Sequence, residues 1–446
     1  MVRVSPVAVA LGVLVSSFSL LATAHDAPSA QIGCAAPSVL ADIGPVCERT
    51  DGLLDVLDED GHVLATVHGI DPPPDREDPV PGDVAGHTGG AGDAPPRMPF
   101  CVPVGTPFSM RIIYARSSDA ADRYLTLRPS IQEMVKLAAG YVALSSDPFG
   151  VGVNLRVQCD ATGIAVANVP LGRTTAQRTF STIVSDLQAR GFNDGRQKYE
   201  VWYDDGASAP CGGGLGSLFG DDRPGSENFN NGNAGPLFAV TWTCPTVLLG
   251  GEIMLHENTH NMGGVQNSAP NGSGGFHCID GKDIMCYADG GPRSGQFSEA
   301  FCSLYLYDCN HNDYFHPNPP GGNYLATHWN VGGVNNRFIQ RNACSLIESQ
   351  PLIVGLPPGS SGVGFFGVNI DVVPVRSTCI GHSFTLTSQG GVALEDFDVC
   401  FERADGSHIQ CFENTGGDTG TIPAGTVQAS VWYFTGAQGT WILYAD

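Results

Sequence analysis

His256-Glu257-Asn258-Thr259-His260 constrains this chain more than any other stretch. On a helix, residues four apart share a face, so His256 and His260 can aim two imidazoles at one ion. Glu257 stands beside them, within reach of a water on that ion. Neutral imidazole suits zinc, and a neighbouring carboxylate can take a proton from zinc-bound water. Leu248, Leu249, Ile253 and Met254 provide apolar positions at helical period ahead of the motif, and Gly263 with Gly264 offers a stop. The expectation is a helix carrying two ligands of a single zinc ion.

Two further features narrow the reading. Gly263 completes an HExxHxxG pattern, and Asp283-Ile284-Met285-Cys286-Tyr287 follows after a glycine-rich loop. Together these resemble the metzincin metalloproteases, whose zinc helix is followed by a tight turn carrying a methionine. The resemblance covers His256 to Tyr287 and, more loosely, residues 98–345. The chain is also similar to a group of exported actinobacterial-type proteins, through His256 to Gln266, His277 to Tyr287 and Tyr307 to Phe315. The likeness implies an α+β metzincin-like catalytic domain, a mixed sheet with a backing helix and a zinc helix. It also implies one catalytic Zn2+, Glu257 as general base and Met285 as an apolar floor under the ligands. Tyr287, two residues after Met285 as in the astacin-like and serralysin-like branches, would bind the metal or steady an oxyanion.

A catalytic zinc takes three protein ligands and keeps one position open. Metzincins place a His or Asp six residues after the second histidine, where this chain has Gln266. A neutral amide oxygen is a poor zinc ligand beside imidazole or carboxylate. His277 ends the glycine-rich loop, and a Cys278–Cys286 bridge would hold it near the methionine turn. The third ligand is therefore His277 or Gln266.

The remaining composition concerns compartment and partners. Arg3, an apolar run from Val7 to Leu21 and Ala22-Thr23-Ala24 read as an export signal over residues 1–24, so the expected location is extracellular. Fourteen cysteines suit an oxidising destination. Short loops favour the pairs Cys34–Cys47, Cys278–Cys286, Cys302–Cys309 and Cys400–Cys411. A net charge of -23 leaves no basic patch for nucleic acid or anionic lipid, and no later apolar run is long enough for stable membrane insertion. The expected partner is a protein or peptide substrate met by a monomer.

Residues 25–97 read as an N-terminal region, either a pro-segment or a small appended module. Its hairpin turns at Asp58 to Gly61, and a Pro/Asp/Gly-rich linker runs from Asp71 to Pro96. Residues 98–345 read as the zinc domain. Strands are expected at 108–115, 155–157, 164–169, 199–203 and 237–242, with one helix capped at Ser130 and another from Phe180 to Leu187. Residues 346–446 carry short β-like runs between turns and read as a small all-β sandwich. Asp308 to Asp313 alternates oxygen ligands but has Asp313 where an EF-hand needs glycine, leaving a looser structural Ca2+ site as the secondary expectation. The expected function is zinc-dependent peptide-bond hydrolysis. Two alternatives stand beside it: an inactive descendant acting as a secreted binding module, motivated by Gln266, and a zinc hydrolase of non-peptide substrates.

Overall fold

The computed structural model describes residues 37–71, 96–149, 151–160, 163–206, 213–242, 251–281, 283–298, 306–341, 348–352, 368–375, 379–389, 397–412, 417–434 and 439–445. The export-signal reading, Leu248, Leu249, Cys34 and Cys302 fall outside them. The described residues form a mixed α/β chain with several sheets and few helices.

The N-terminal region folds as a four-stranded antiparallel meander, β1 (Ser38–Leu40), β2 (Gly44–Glu48), β3 (Leu54–Leu57) and β4 (Val63–Val67). The hairpin expected around Asp58 to Gly61 joins β3 to β4. Asp58 accepts from the Asp60 and His62 amides there, a short polar side chain closing a turn on its own backbone.

The larger sheet has nine strands, with β11-β12-β10-β6-β7-β13 as its main path. In chain order they are β5 (Phe100–Pro103), β6 (Ser109–Arg116), β7 (Val153–Asp160), β8 (Gly163–Ile164), β9 (Val166–Pro170), β10 (Gln197–Asp204), β11 (Gly214–Gly216), β12 (Leu237–Trp242) and β13 (Ile339–Arg341). The core strands β6, β10 and β12 run parallel, while β11 lies antiparallel on β12 and forms the edge. Alternation along β6 sends Met110, Ile112 and Tyr114 to one face and Ile113 with Ala115 to the other. The first face receives helices α1 (Tyr124–Ser146) and α3 (Gly251–Asn261) through Ile131, Met134, Val135, Met254 and Leu255. The second receives α2 (Phe180–Ala189) through Phe180, Ile183, Val184 and Leu187, joined by Val46, Val56, Ala65 and Val67 of the N-terminal meander.

Ser130 does not cap α1. The helix starts at Tyr124, whose amide donates to Asp122 2.9 Å away, and Pro129 is tolerated inside it. An aspartate two residues upstream supplies the cap that the serine was expected to give. Thr179 caps α2 by accepting from the Thr182 amide. Cys101–Cys159 links β5 to the end of β7, a long-range bridge that spacing could not suggest, while Cys278–Cys286 and Cys400–Cys411 pair as expected.

Beyond residue 346 the chain forms two four-stranded antiparallel sheets. One holds Glu348–Leu352, Gly439–Ala445, Ser383–Gln389 and Gly417–Thr421, the other Val368–Pro374, Gln428–Phe434, Phe397–Glu402 and His408–Phe412. Phe384, Leu386 and Leu443 from the first meet Val399, Phe401, Ala429 and Val431 from the second in one apolar core. Among the described residues no helix is long and apolar enough to cross a membrane.

Candidate metal centre

All eleven residues of α3 are buried, so the helix is covered on every side. Beneath it, Asn258 donates to Glu200 of β10 at 3.3 Å, and burial pushes that glutamate well above the ordinary carboxyl range. After Asn261 the chain turns at Gly263, whose φ of +86° is left-handed and whose missing Cβ would meet Asn230 at 2.8 Å.

His256 and His260 present their Nε2 atoms 3.2 Å apart. His277 Nε2 lies 3.2 Å from the first and 3.1 Å from the second. His256 Nδ1 sits 2.7 Å from the Ile284 carbonyl, which can only accept, so a proton is on Nδ1 and Nε2 faces inward. His277 Nδ1 is likewise engaged by Asp289 at 3.0 Å. Three ring nitrogens converge at that spacing, an arrangement that a shared cation would hold together. Tetrahedral zinc with Zn–N bonds of about 2.0–2.1 Å would set its nitrogens about 3.3 Å apart. The donor set, the spacing and the outer hydrogen bonds therefore fit that ion.

Of the two candidates for third ligand, the structure brings His277 to the other histidines. Gln266 is not brought there: its amide nitrogen donates to the Gly263 carbonyl at 2.9 Å and the Phe219 carbonyl at 3.2 Å. It closes the turn after the helix, a need of the backbone that outranks ligation by a weak donor. The Met285 carbonyl accepts from Cys278, pinning the methionine turn beside His277, and Met285 is buried in the main core. The Tyr287 ring lies 4.4 Å from that of His277 and 6.1 Å from that of His256.

Glu257 is fully buried, and neither carboxylate oxygen has a hydrogen-bond partner. Burial, then the nearby Asp71 and Glu200 carboxyls, push it well above the ordinary value. The edge strand makes room for it: a Cβ on Gly214 would stand 1.9 Å from Glu257 Oε1.

Four participants were not foreseen from the sequence: Asp71, His68, Asp289 and the glycine pair of β11. Asp71 Oδ1 lies 3.1 Å from His277 Nε2, and Asp71 Oδ2 lies 3.3 Å from His256 Nε2 and 3.8 Å from His260 Nε2. Tyr287 donates its hydroxyl to Asp71 Oδ1. The His68 ring packs 4.1 Å from that of His260. Burial works to raise the Asp71 carboxyl, but the imidazoles of His68, His277 and His256 outweigh it and hold the group well below the ordinary range. At His277 burial works to lower the imidazole, and Asp71 with Asp289 lifts it to about 9.

A second acidic group lies behind the methionine turn. Asp308 accepts from the Phe315, Tyr314 and Asp313 amides, and Asp283 from the Met285 and Cys309 amides and the Tyr314 hydroxyl. The expected cation loop starting at Asp308 is thus a backbone-organising turn. Asp280 and Asp313 instead bond to each other's carboxyls. Asp280 Oδ1 faces the Cys286 sulfur at 3.2 Å, and a disulfide sulfur has no hydrogen to give. Burial and then Asp313 and Asp308 push Asp280 up to about 8. A folded-state value above the unfolded one gives a contribution complete below pH ~4 and lost as pH climbs toward 8. Calcium-free protein is therefore expected to melt several degrees lower at pH 8 than at pH 5, with Asp280→Asn flattening that slope. An unchanged slope in thermal melts of the variant would refute this account.

No family model matches the chain, and no curated protein matches it. Among solved structures it is similar to wild-type OgpA from Akkermansia muciniphila, at 10% identity and a TM-score of 0.26, covering 75% of this chain and 86% of that one. A second crystal form gives 11% identity and a TM-score of 0.26 over 80% and 88%. Catalytically inactive OgpA in complex with an O-glycopeptide (glycodrosocin) substrate gives 8% and 0.27 over 75% and 86%. Likeness at that level sets neither fold nor activity.

Proposed function

We propose that the chain is an exported zinc-dependent endopeptidase. The observation that carries this reading is the meeting of three buried imidazole nitrogens within 3.2 Å beside an unpartnered, buried glutamate. His256, His260 and His277 would hold the zinc, which supplies Lewis acidity and a water of lowered pKa. Glu257, buried beside the imidazole nitrogens, is placed to take a proton from that water and return it to the leaving amine. Ile284 and Asp289 keep two of the imidazoles oriented. The Tyr287 hydroxyl points into the same space and is suited to donate to a developing oxyanion. Beside the site, Asp71 pairs with Gly214 of β11 as an extended segment, which shows that this edge accepts extended backbone and favours a peptide substrate over a non-peptide one. In this reading residues 1–24 direct export, 25–97 form a pro-segment, 98–345 the protease domain and 346–446 a sandwich domain.

Metal analysis of the full-length chain is expected to find one zinc. Cleavage of a denatured protein by the exported material should stop on chelation and return with zinc. Folded protein without zinc, or hydrolysis indifferent to chelators, would remove the reading in favour of a binding module. Calcium between Asp280 and Asp313 is the secondary cation of this proposal, and adding it should suppress the fall in stability toward pH 8.

A further inference from the structure

We propose that the stretch from Tyr307 to Phe315 braces the metal centre, with the Tyr307 and Tyr314 hydroxyls and the Asp283 carboxyl as positioning residues for His256 and its helix. This rests on the zinc hydrolase reading and gives work in that site to a sequence pattern that the chemistry above leaves without a role. Two runs of contact, leaving the stretch in different directions, carry it.

The first runs to the methionine turn. His256 is oriented by one backbone acceptor, the Ile284 carbonyl, 2.7 Å from its Nδ1. That carbonyl keeps its place only while the residues on either side of it are held. Asp283 accepts from the Met285 amide at 2.9 Å and so closes the turn around Ile284. The late stretch holds Asp283 in its turn: the Tyr314 hydroxyl donates to Oδ1, and the Cys309 amide donates to Oδ2 at 3.0 Å. The Ile284 amide donates to the Leu306 carbonyl at 3.3 Å, where the two stretches lie side by side. Asp283 is 3% exposed and Tyr314 1%, so a donor removed there is not replaced by bulk water.

The second runs to the zinc helix. Thr259 stands between the two histidines of α3. Its hydroxyl donates to the Leu255 carbonyl at 2.6 Å, which uses its single hydrogen, so the Tyr307 hydroxyl 2.7 Å away is the donor to Thr259 Oγ1. The Tyr307 amide donates to the Ser145 hydroxyl of α1 at 2.9 Å, tying the same residue to the backing helix. The Tyr307 and Tyr314 rings meet edge to face with centroids 5.3 Å apart, within the apolar cluster that holds Met254, Leu255 and Met285. The helix that carries two imidazoles and the turn that orients one of them are thus keyed to the same short stretch. A ligand whose outer hydrogen bond is itself fixed loses less orientation each time metal contact breaks, which slows metal release.

The test uses full-length protein loaded with zinc, or with cobalt in its place, and the variants Tyr314→Phe, Tyr307→Phe and Asp283→Asn. Each removes one hydroxyl or one charge and keeps the shape of the side chain. Val331→Ala, a truncation in the same apolar cluster that removes none of these contacts, is the control for lost stability. The readouts are the rate at which zinc passes to a colorimetric chelator and the visible d–d spectrum of the cobalt form, which reports ligand geometry. The three brace variants are expected to release zinc roughly 10-fold faster than wild type and to shift the cobalt bands. Val331→Ala is expected to melt earlier yet keep both readouts at wild-type values. Wild-type release and spectrum in all three brace variants, or the same changes in Val331→Ala, would overturn the proposal and leave the stretch a packing element. Failure of the wild-type protein to bind either metal would instead remove the zinc reading itself, and the brace with it.

Discussion

Glu257→Gln is expected to lower kcat by about 10^2–10^4-fold while leaving one zinc per chain, the range typical of losing a positioned proton shuttle. Glutamine keeps the volume of the side chain, so the room that Gly214 leaves for it stays filled. The three imidazole nitrogens are untouched, and so are the Ile284 and Asp289 contacts that orient two of them. What disappears is a buried carboxyl without a hydrogen-bond partner beside the centre. Turnover and zinc stoichiometry measured on one preparation decide the matter. A variant retaining more than a tenth of wild-type turnover would mean that another group moves the proton. Loss of zinc along with activity would mean that Glu257 supports the ligands rather than the chemistry.

His277→Ala should cost most of the zinc affinity, whereas Gln266→Ala should keep it. Structural zinc sites of four ligands bind with about 10–16 kcal/mol, so one ligand accounts for roughly 3 kcal/mol, about a hundredfold in affinity. The Gln266 amide serves the Gly263 and Phe219 carbonyls, and its removal is expected to show as lower thermal stability with unchanged metal content. Competition against a chelator of known affinity separates the two. Loss of zinc from the Gln266 variant with retention in the His277 variant would reverse the assignment and restore the regular metzincin spacing.

Much of the catalytic scaffold was legible because it depends on local pattern. Alternation marked β6, helical period marked α2, and the glycine after the second histidine marked the end of α3. The residues that complete the site depend on distant parts of the chain returning to it. His277 and Gln266 could not be separated by counting residues, because a loop closed by Cys278–Cys286 decides where the imidazole lands. The strand β11 carries no strand signal, since Gly214-Leu215-Gly216 has too little side chain for an alternating pattern, yet that bareness is what Glu257 requires. Asp71 stands at the start of a proline-rich run that reads as linker, and its partners lie some two hundred residues away. A signal was available in His68 and Asp71 just after β4 and before that run, but nothing local assigned it to a metal.

The N-terminal meander contributes Val46, Val56, Ala65 and Val67 to the same apolar cluster as Phe180, Val184 and Phe238. Scission anywhere in 72–95 would therefore sever a covalent link without separating the pieces, because an interior shared by both fragments continues to hold them. Nicked protein should travel as one particle through gel filtration and dissociate only when denatured or when the smaller fragment is digested.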